Sequence, residues 1–206
     1  FSMKKIEKRI VEYFQKIGWA AYVAGLQDSH SGNMSMRIGN HMLITRRGSM
    51  LGFLNDYDII EVSLTENDSG VSLASSEAGV HRAIYRETNG LAIVHAHLIN
   101  AVILSYLYNE IVPIDVEGSY SIRKVPILSF KFGSGSKEME EKVPEFLKDN
   151  KIVIIKGHGA IAIGETLEEA LFYNSVLENS CKIIRGIYAL GKKPEDFTPE
   201  EISKGW

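Results

Sequence analysis

Cysteine, proline and long apolar runs are scarce in this sequence of 206 residues. The single cysteine, Cys181, cannot form an intramolecular disulfide, which favours a reducing compartment. The longest apolar stretch, residues 91–108, is interrupted by His95, His97 and Asn100, and it is therefore a poor membrane span. The first residues also lack the apolar core of a secretory signal. We therefore expect a cytoplasmic protein with no membrane partner.

An excess of positive charge is absent too, because 23 lysines and arginines stand against 26 acidic residues and the net charge is −3. This balance does not require a nucleic-acid partner, and none is expected. Apolar residues make up 45% of the chain and charged residues 24%, which excludes a disordered or collagen-like protein. The length fits one globular unit, and we predict a single domain over residues 1–206.

Hydrophobic periodicity predicts strands interleaved with helices, which indicates an α/β domain whose strand order stays open. Three of the five predicted helices cover residues 4–17, 99–108 and 167–190, and Gly18 is predicted to end the first of them. A further helix is predicted to begin after Ser75 or Ser76, one of which would be its N-cap. Another is predicted to end at Lys148. The predicted strands cover residues 34–38, 42–45, 58–62, 91–97 and 125–130, with two more inside residues 151–164. In the last helix, Ala170, Leu171, Val176, Leu177, Ile183, Ile184 and Ile187 are expected to be buried.

Two histidines, His95 and His97, lie at the end of the strand predicted over residues 91–97. Alternate residues of a strand point to the same face, so the two imidazoles are expected to project together. Two adjacent imidazoles can bind a divalent metal. The alternative is a pair of histidines that only hydrogen-bond to nearby loops, and the spacing alone leaves both interpretations open.

A third histidine, His158, lies between Gly157 and Gly159, which permit either close approach of another element or simply a tight turn. Glu77 lies near the start of a predicted helix, where the helix dipole also favours a carboxylate. His81 shares the helix face of Glu77, and we interpret it as a packed histidine rather than a ligand. Three histidines and one carboxylate fit a zinc-type site, whereas calcium and magnesium prefer oxygen ligands.

Small polar side chains and glycines occur in loops at residues 31–33, 45–49 and 75–76. Backbone amides, hydroxyls and a helix N-terminus that converge on one point would bind a phosphate group without a P-loop lysine. Each loop could equally be an ordinary turn. The sequence has no Walker motif, Rossmann glycine fingerprint or nucleophile elbow.

Five segments, taken in order along the chain, resemble the class II aldolase and adducin family. They are Ser-Gly-Asn-Met-Ser-Met-Arg (31–37), Met-Leu-Ile-Thr-x-x-Gly (42–48), Ser-Ser-Glu (75–77), His-Ala-His (95–97) and Gly-His-Gly (157–159). Each is weak alone, but the five in this order are specific and extend from the first helix to the last. The resemblance implies a three-layer α/β/α sandwich around a mainly antiparallel central sheet, in a homotetramer with active sites at subunit interfaces.

The resemblance also implies the roles of individual residues. His95, His97 and His158 match the metal-binding histidines of the family, for Zn²⁺ or another divalent transition metal. Glu77 matches the carboxylate that acts as acid and base and can also bind the resting metal. The positions that contact the substrate phosphate correspond to Asn33, Thr45, Arg47, Gly48, Ser75 and Ser76.

The activity implied is that of a metal-dependent aldolase acting on a small-molecule sugar phosphate. Such an enzyme would cleave a ketose 1-phosphate of the fuculose-phosphate type to dihydroxyacetone phosphate and a short aldehyde. The metal would act as a Lewis acid and stabilise an ene-diolate when the carbon–carbon bond breaks.

The sequence departs from the family at two places. Residues 45–48 read Thr-Arg-Arg-Gly where the family's aldolases have a Thr-Pro-Thr-Gly-like loop, so Arg47 could bind phosphate or a different anion such as a carboxylate. In the segment that carries the family's tyrosine proton donor, this chain has Val116, and the donor to the leaving aldehyde is unassigned. The neighbours of Val116 are Asp115, Glu117 and Tyr120.

Three alternatives share this fold. A sugar-phosphate dehydratase and a pentulose-phosphate 4-epimerase would use a similar site, but residues 112–120 lack the Thr-His-x-Asp-Tyr-like segment of the epimerases. A non-catalytic adducin-like module is the third alternative. The presence of all three histidines together with Glu77 argues against it, because a module without catalysis has no need of four converging ligands.

Overall fold

The structure, a computed structural model, describes residues 6–197 and contains within them six α-helices and eight β-strands. The helices are α1 (Lys8–Val23), α2 (Ala78–Glu87), α3 (Ile99–Ser105), α4 (Val116–Ser121), α5 (Lys137–Leu147) and α6 (Leu167–Ala189). The strands are β1 (Asn33–Ile38), β2 (His41–Thr45), β3 (Ile59–Ser63), β4 (Ala92–Ala96), β5 (Glu110–Ile111), β6 (Val125–Leu128), β7 (Ile152–Ile155) and β8 (Gly159–Gly164). Between residues 6 and 197 no helix combines the length and the apolar character needed to cross a membrane.

The eight strands form one sheet in the order β3-β2-β1-β4-β8-β7-β6-β5. Neighbouring strands are antiparallel except β6 and β7, which are parallel. At the centre of the sheet, Asn33 of β1 lies opposite His95 of β4, and His95 lies opposite Ile161 of β8. The strand order therefore brings the end of β4 beside the turn between β7 and β8.

Alternate residues of the central strands face two separate hydrophobic cores, as the two-residue period of a strand requires. Val94 and Ile154 face a core that also contains side chains of α1, α3 and α6. Ile93 and Ile155 face a second core, to which α2 and α5 contribute. Helices therefore cover both faces of the sheet, and the predicted three-layer α/β/α sandwich around a mainly antiparallel sheet is confirmed.

Helix α1 extends further than the sequence pattern predicts. The prediction that Gly18 ends the helix is wrong, because α1 continues to Val23; the predicted start at Lys4 lies outside the described residues. Gly18 is needed inside the helix because α1 crosses the 3₁₀ turn Leu51–Phe53 at close range. A Cβ at this position would lie 2.0 Å from the carbonyl oxygen of Leu51. This glycine therefore marks a close crossing rather than a helix end.

The start of α2 also differs from the prediction. Neither Ser75 nor Ser76 is the N-cap; Glu77 occupies that position, and its side chain makes no capping hydrogen bond. The Ser75 hydroxyl instead accepts a hydrogen bond of 3.2 Å from the backbone N–H of Glu77. Because the Glu77 carboxylate does not cap the helix, it is available to groups on the sheet.

Two further predictions about helices are wrong. Helix α3 ends at Ser105 rather than at residue 108. In α6, Ile183 is 43% exposed, and Leu171 and Ile187 are only half-buried, although all three were expected in the core. The buried stripe of α6 follows Leu177 and Ile184, two helical turns apart, and Ile183 lies beside that stripe.

Replacing Gly18 by alanine is expected to lower the free energy of unfolding by about 1–3 kcal/mol, the usual cost of overpacking, because the new methyl group would overlap the Leu51 carbonyl. Urea unfolding measures the change. The matched control is Gly186→Ala in α6, where a Cβ would meet nothing within 4 Å. Alanine there should stabilise by up to about 1 kcal/mol through its helix propensity. Equal effects at the two glycines would contradict the close crossing.

Candidate metal centre

Three histidines meet where the central strands end. His95 is in β4, His97 follows that strand by one residue, and His158 lies in the turn between β7 and β8. His95 is buried and the other two are half-buried. One ring nitrogen of each lies within 4.8 Å of the other two. The structure therefore brings together the three histidines that the sequence analysis selected.

The three rings direct their Nε2 atoms toward one another. Nε2 of His95 is 3.1 Å from that of His97 and 3.3 Å from that of His158. Nδ1 of His95 is 2.9 Å from the Ala160 carbonyl oxygen, and Nδ1 of His158 is 2.5 Å from that of Gly133. A carbonyl oxygen can only accept a hydrogen bond, so both Nδ1 atoms carry the hydrogen. In neutral rings both Nε2 atoms are then unprotonated lone-pair donors.

This cluster fits a metal ion. Lone pairs that face one another repel unless a cation lies between them. Two nitrogens bound to one tetrahedral zinc ion at about 2.0–2.1 Å lie roughly 3.3 Å apart, close to the separations found here. Hydrogen bonds from Nδ1 to backbone carbonyls are also the usual way in which proteins orient metal-binding histidines. Three nitrogen donors and a nearby carboxylate favour zinc or another transition metal over magnesium or calcium.

Burial favours the neutral form of His97 and His158. Burial, followed by the proximity of His95 and His158, lowers the pKa of His97 to about 3. Burial and the neighbouring His95 also lower the pKa of His158. Protons therefore compete poorly for these nitrogens at neutral pH, and a metal can bind there without first displacing them.

Glu77 lies beside the cluster with its side chain almost fully buried. Its Oε2 is 3.4 Å from Nε2 of His95 and accepts a hydrogen bond of 2.9 Å from Nδ2 of Asn33. Its Oε1 lies 3.5 Å from the hydroxyl of Ser134. Burial raises the pKa of Glu77, but His95, the Asn33 amide and His158 outweigh burial and lower this pKa to about 2. The carboxylate is therefore ionised at neutral pH.

A series of buried hydrogen bonds continues from Glu77 between β1 and α2. Oδ1 of Asn33 is 2.6 Å from Nε2 of His81, whose Nδ1 is 2.7 Å from Oγ of Ser35. The same Oγ is 2.7 Å from the hydroxyl oxygen of Tyr85. All five side chains are buried, and we call them the Glu77 network. His81 is packed, as expected. The sequence analysis did not identify Ser35 and Tyr85 as residues of the site. The four-residue spacing of Glu77, His81 and Tyr85 is the signal that could have identified the tyrosine.

The segment that carries His97 is fixed by a carboxylate from α6. The two oxygens of Glu178 accept hydrogen bonds of 2.9 and 3.1 Å from the backbone N–H of Asn100, and one accepts another of 3.2 Å from that of Ala101. These N–H groups belong to the first turn of α3, which begins two residues after His97. A carboxylate at a helix N-terminus satisfies free N–H groups and the helix dipole, so it holds this end of α3 in place.

One loop, residues 133–136, lies against His158, Glu77 and Ser76. Its first two residues, Gly133 and Ser134, make the contacts to His158 and Glu77 described above. Gly135 has a φ of 56°, and a Cβ there would lie 2.6 Å from the carbonyl oxygen of Ser76. Only glycine permits both this backbone conformation and this approach.

The residues predicted to bind phosphate form two adjacent segments. Backbone hydrogen bonds join residues 45–47 to residues 73–75, including one of 3.1 Å from the Ser75 N–H to the Thr45 carbonyl. Thr45 and Ser75 are buried. Arg47, Gly48 and Ser76 are exposed to solvent.

The two arginines of this loop have different surroundings. Both are exposed, but the guanidinium of Arg46 lies 6.0 Å from the centre of the Tyr57 ring. Asn33, the remaining predicted phosphate contact, is buried, and its amide belongs to the Glu77 network. One of its two amide hydrogens bonds to Glu77.

The segment in which the sequence analysis sought a proton donor forms α4. Asp115 is the N-cap of this helix, and its carboxylate accepts a hydrogen bond of 2.8 Å from the N–H of Gly118. Its capping role explains the residue type at that position. Exposed side chains of α4 are those of Val116, Glu117 and Tyr120.

Comparison with known proteins identifies relatives over most of the chain. Residues 11–184 match the family described as Class II Aldolase and Adducin N-terminal domain. An L-fuculose phosphate aldolase of Methanocaldococcus jannaschii is 30% identical over 178 residues, covering 86% of this chain and 94% of that protein. A 3-oxo-tetronate 4-phosphate decarboxylase of Escherichia coli K12 is 27% identical over 208 residues, covering 97% of this chain and 96% of that protein.

A solved structure shares the architecture. The crystal structure of L-fuculose-1-phosphate aldolase from Thermus thermophilus superimposes with a TM-score of 0.85 at 33% sequence identity. The match covers 90% of this chain and 97% of that one. The likeness therefore extends over most of the chain.

The buried His81 is expected to make the metal-free protein sensitive to acid. Burial lowers its pKa from 6.5 to about 3, so below pH 6.5 the unfolded chain binds a proton that the folded chain does not. The contribution of His81 to the free energy of unfolding should be fully present above pH 6.5 and should fall by about 1.4 kcal/mol per pH unit below it. Between pH 7 and pH 5, the wild type should lose about 2 kcal/mol more than His81→Gln, measured by urea unfolding in the presence of a chelator.

The control for this measurement is His41→Gln, at an exposed histidine of β2. Its side chain is in water before and after unfolding, so the pH dependence should equal that of the wild type. A wild-type slope that His81→Gln leaves unchanged would show that this histidine does not remain neutral in the fold.

Proposed function

Because this chain belongs to the class II aldolase and adducin family, we propose that it is a divalent-metal-dependent aldolase that cleaves a ketose 1-phosphate of the fuculose-phosphate type. The products would be dihydroxyacetone phosphate and a short aldehyde. The observation that carries this proposal is the convergence of three histidine Nε2 atoms beside one buried, ionised carboxylate. This arrangement pairs a site for a cation, which can stabilise the charge left by cleavage next to a carbonyl, with a group that can move a proton.

His95, His97 and His158 would hold the metal, with Glu77 as a fourth ligand in the resting state. When bound, a divalent metal supplies positive charge that polarises the substrate carbonyl as a Lewis acid. The Nδ1 bonds of His95 and His158 to backbone carbonyls fix the orientation of two of the ligands. Zn²⁺ is the metal that this ligand set favours.

Glu77 is the proposed acid and base. Cleavage leaves an electron pair on the carbon next to the carbonyl, and this carbon must gain a proton to give dihydroxyacetone phosphate. Because Glu77 is ionised at rest, it would take up a proton from solvent before giving it to this carbon in cleavage, and in the reverse reaction the carboxylate takes the same proton from the carbon. Oε1 suits this exchange because Oε2 is already bonded to Asn33. The separate base that accepts the proton of the cleaved hydroxyl remains unassigned in this chain.

The substrate phosphate is proposed to bind between residues 45–48 and 75–76. The start of α2 adds the positive end of a helix dipole. The exposed guanidinium of Arg47 would add a charge-assisted contact. A homotetrameric assembly and a cytoplasmic location stay predictions of the sequence analysis.

Decarboxylation of a 3-oxo acid phosphate is a second candidate, favoured by the exposed Arg47. This guanidinium could bind a carboxylate in place of, or beside, the phosphate. Both reactions break a carbon–carbon bond next to a polarised carbonyl and leave an electron pair on the adjacent carbon. Glu77 could protonate that carbon in either case, so the two candidates differ in the product released, an aldehyde or carbon dioxide.

Zinc should stabilise the folded wild type. At a free Zn²⁺ concentration of about one hundred times Kd, binding to the folded state alone adds about 2.7 kcal/mol. Thermal unfolding of chelator-treated protein, with and without Zn²⁺, measures the shift in Tm. His97→Ala should abolish most of this shift, whereas His41→Ala, at an exposed position, should retain it. An equal Zn²⁺-dependent shift in wild type and His97→Ala would mean that the ion binds elsewhere.

Glu77→Gln is expected to lower kcat for cleavage by about 100-fold or more, because an amide cannot move the proton. The measurement is release of dihydroxyacetone phosphate from a panel of ketose 1-phosphates that includes fuculose 1-phosphate. The matched control is Glu145→Gln, at an exposed position of α5.

A full rate in Glu77→Gln would contradict the assigned role of this carboxylate. Zinc binding without cleavage by the wild type would exclude the aldolase proposal. Carbon dioxide released from 3-oxo acid phosphates would then identify the second candidate, and loss of water from the same panel would identify a dehydratase.

A further inference from the structure

The Glu77 network has a direction that follows from its chemistry. An ionised carboxylate only accepts hydrogen bonds, so the atom of Asn33 that lies 2.9 Å from Glu77 is the amide nitrogen. The other amide atom of Asn33 is then an oxygen and needs a donor. The group that faces it is Nε2 of His81, at 2.6 Å, and this nitrogen therefore carries the hydrogen.

The same reasoning continues to the far end of the network. With Nε2 protonated in a neutral ring, Nδ1 of His81 is an acceptor, so the hydroxyl of Ser35 donates to it across 2.7 Å. The Ser35 oxygen in turn accepts from the hydroxyl of Tyr85, also at 2.7 Å. Every donor points toward Glu77, and one charge sets the direction of four consecutive hydrogen bonds.

This direction makes the two oxygens of Glu77 unequal. Oε2 is held by Asn33 and faces Nε2 of His95 at 3.4 Å. Oε1 has only the hydroxyl of Ser134, 3.5 Å away. An Asn33 amide turned by 180° would place its oxygen against the carboxylate and repel it. Nε2–H of His81 prevents that rotation, because the turned amide would also present its NH₂ group to a donor.

We propose that His81, Ser35 and Tyr85 are positioning residues for the cleavage reaction: they lock the Asn33 amide so that Oε2 of Glu77 faces the histidine cluster and Oε1 stays free to exchange a proton with substrate. The inference rests on the proposed function. It assigns the metal-facing and proton-transferring roles to different atoms of one carboxylate. None of the three positioning residues needs to touch the substrate.

Packing alone does not account for these residue types. The network is enclosed by apolar side chains of the core on the α2 face, and His81 and Ser35 have no exposed surface. Apolar residues of similar volume would fill the space without the cost of burying polar groups. Each buried polar side-chain atom of the network has a hydrogen-bond partner, and the series of hydrogen bonds ends at the carboxylate of Glu77.

The test compares His81→Phe and His81→Gln with the wild type. Phenylalanine fills the space but has no donor, so kcat should fall by about 10- to 100-fold, the usual cost of losing a group that orients a metal-site ligand. KM for the phosphorylated substrate should change little, because the proposed phosphate contacts are untouched. Glutamine can still donate a hydrogen to Asn33, so it should recover much of the lost kcat. Ser35→Ala should be less severe, and Tyr85→Phe, farthest from Glu77, milder still.

The matched control is Tyr173→Phe. Tyr173 is buried and donates a hydrogen bond of 2.8 Å to Glu169, in α6 on the opposite face of the sheet. Its replacement removes one hydroxyl hydrogen bond, as Tyr85→Phe does, and should leave kcat and KM at wild-type values.

Two readouts do not depend on catalysis. The visible absorption bands of the Co²⁺-loaded protein report the ligands around the metal; they should shift in His81→Phe and stay unchanged in His81→Gln and Tyr173→Phe. Nitrogen-15 NMR of histidine-labelled protein should show His81 as the neutral Nε2–H tautomer at pH 7.

The Nδ1–H tautomer of His81 would overturn the proposal, and so would a His81→Phe variant that folds with wild-type kcat and Co²⁺ bands. If kcat fell equally in His81→Gln and His81→Phe, the role would be packing rather than hydrogen-bond donation. If the wild type cleaves none of the sugar phosphates, the proposed function fails, while the tautomer and the Co²⁺ bands still decide the inference about Glu77.

Discussion

The Glu77 carboxylate is buried beside three histidine nitrogens, and much of the polar structure inside the domain compensates its charge. A carboxylate that leaves water must regain hydrogen bonds and opposite charge, or its burial costs several kcal/mol. Asn33 supplies the hydrogen bond, and a cation held by the histidines would supply the charge. Without the cation, an anion and several lone pairs share one small volume. Binding of the proposed metal would therefore be coupled to the stability of this region.

The sheet provides the rigidity that such a site requires. Asn33 and His95 are paired in register across β1 and β4, so the network and the metal cluster are joined through backbone hydrogen bonds rather than through flexible loops. In the same region β8 packs closely against β4 at Gly159, where a Cβ would lie 2.3 Å from the carbonyl oxygen of Ala96. The segments proposed to bind phosphate, in contrast, lie at the ends of elements and expose Arg47.

The residue types of the site were more predictable from the sequence than the hydrogen bonds and strand pairings that join them. Two histidines at i and i+2 and a carboxylate at the start of a helix are local patterns, and these residue types indicate metal binding and proton transfer. Strand order was not predictable, because pairing joins segments far apart in the chain. Ser35 and Tyr85 were missed since serine and tyrosine are ordinary in such elements, and only the meeting of β1 with α2 gives them a role. Gly18 was misjudged for a related reason: its helix propensity suggests an end, but the tertiary crossing at Leu51 explains the residue.

The proposed metal centre depends on the pairing of β4 with β8. His95 and His158 are 63 residues apart in sequence, and they meet only after these two strands have paired. A nascent or half-folded chain offers His95 and His97 alone, which is two ligands of the proposed four. Such a pair holds a metal ion far more weakly than the finished centre does. On the proposed function, an ion would therefore be held by all its ligands only once the sheet is complete, and not by the emerging peptide.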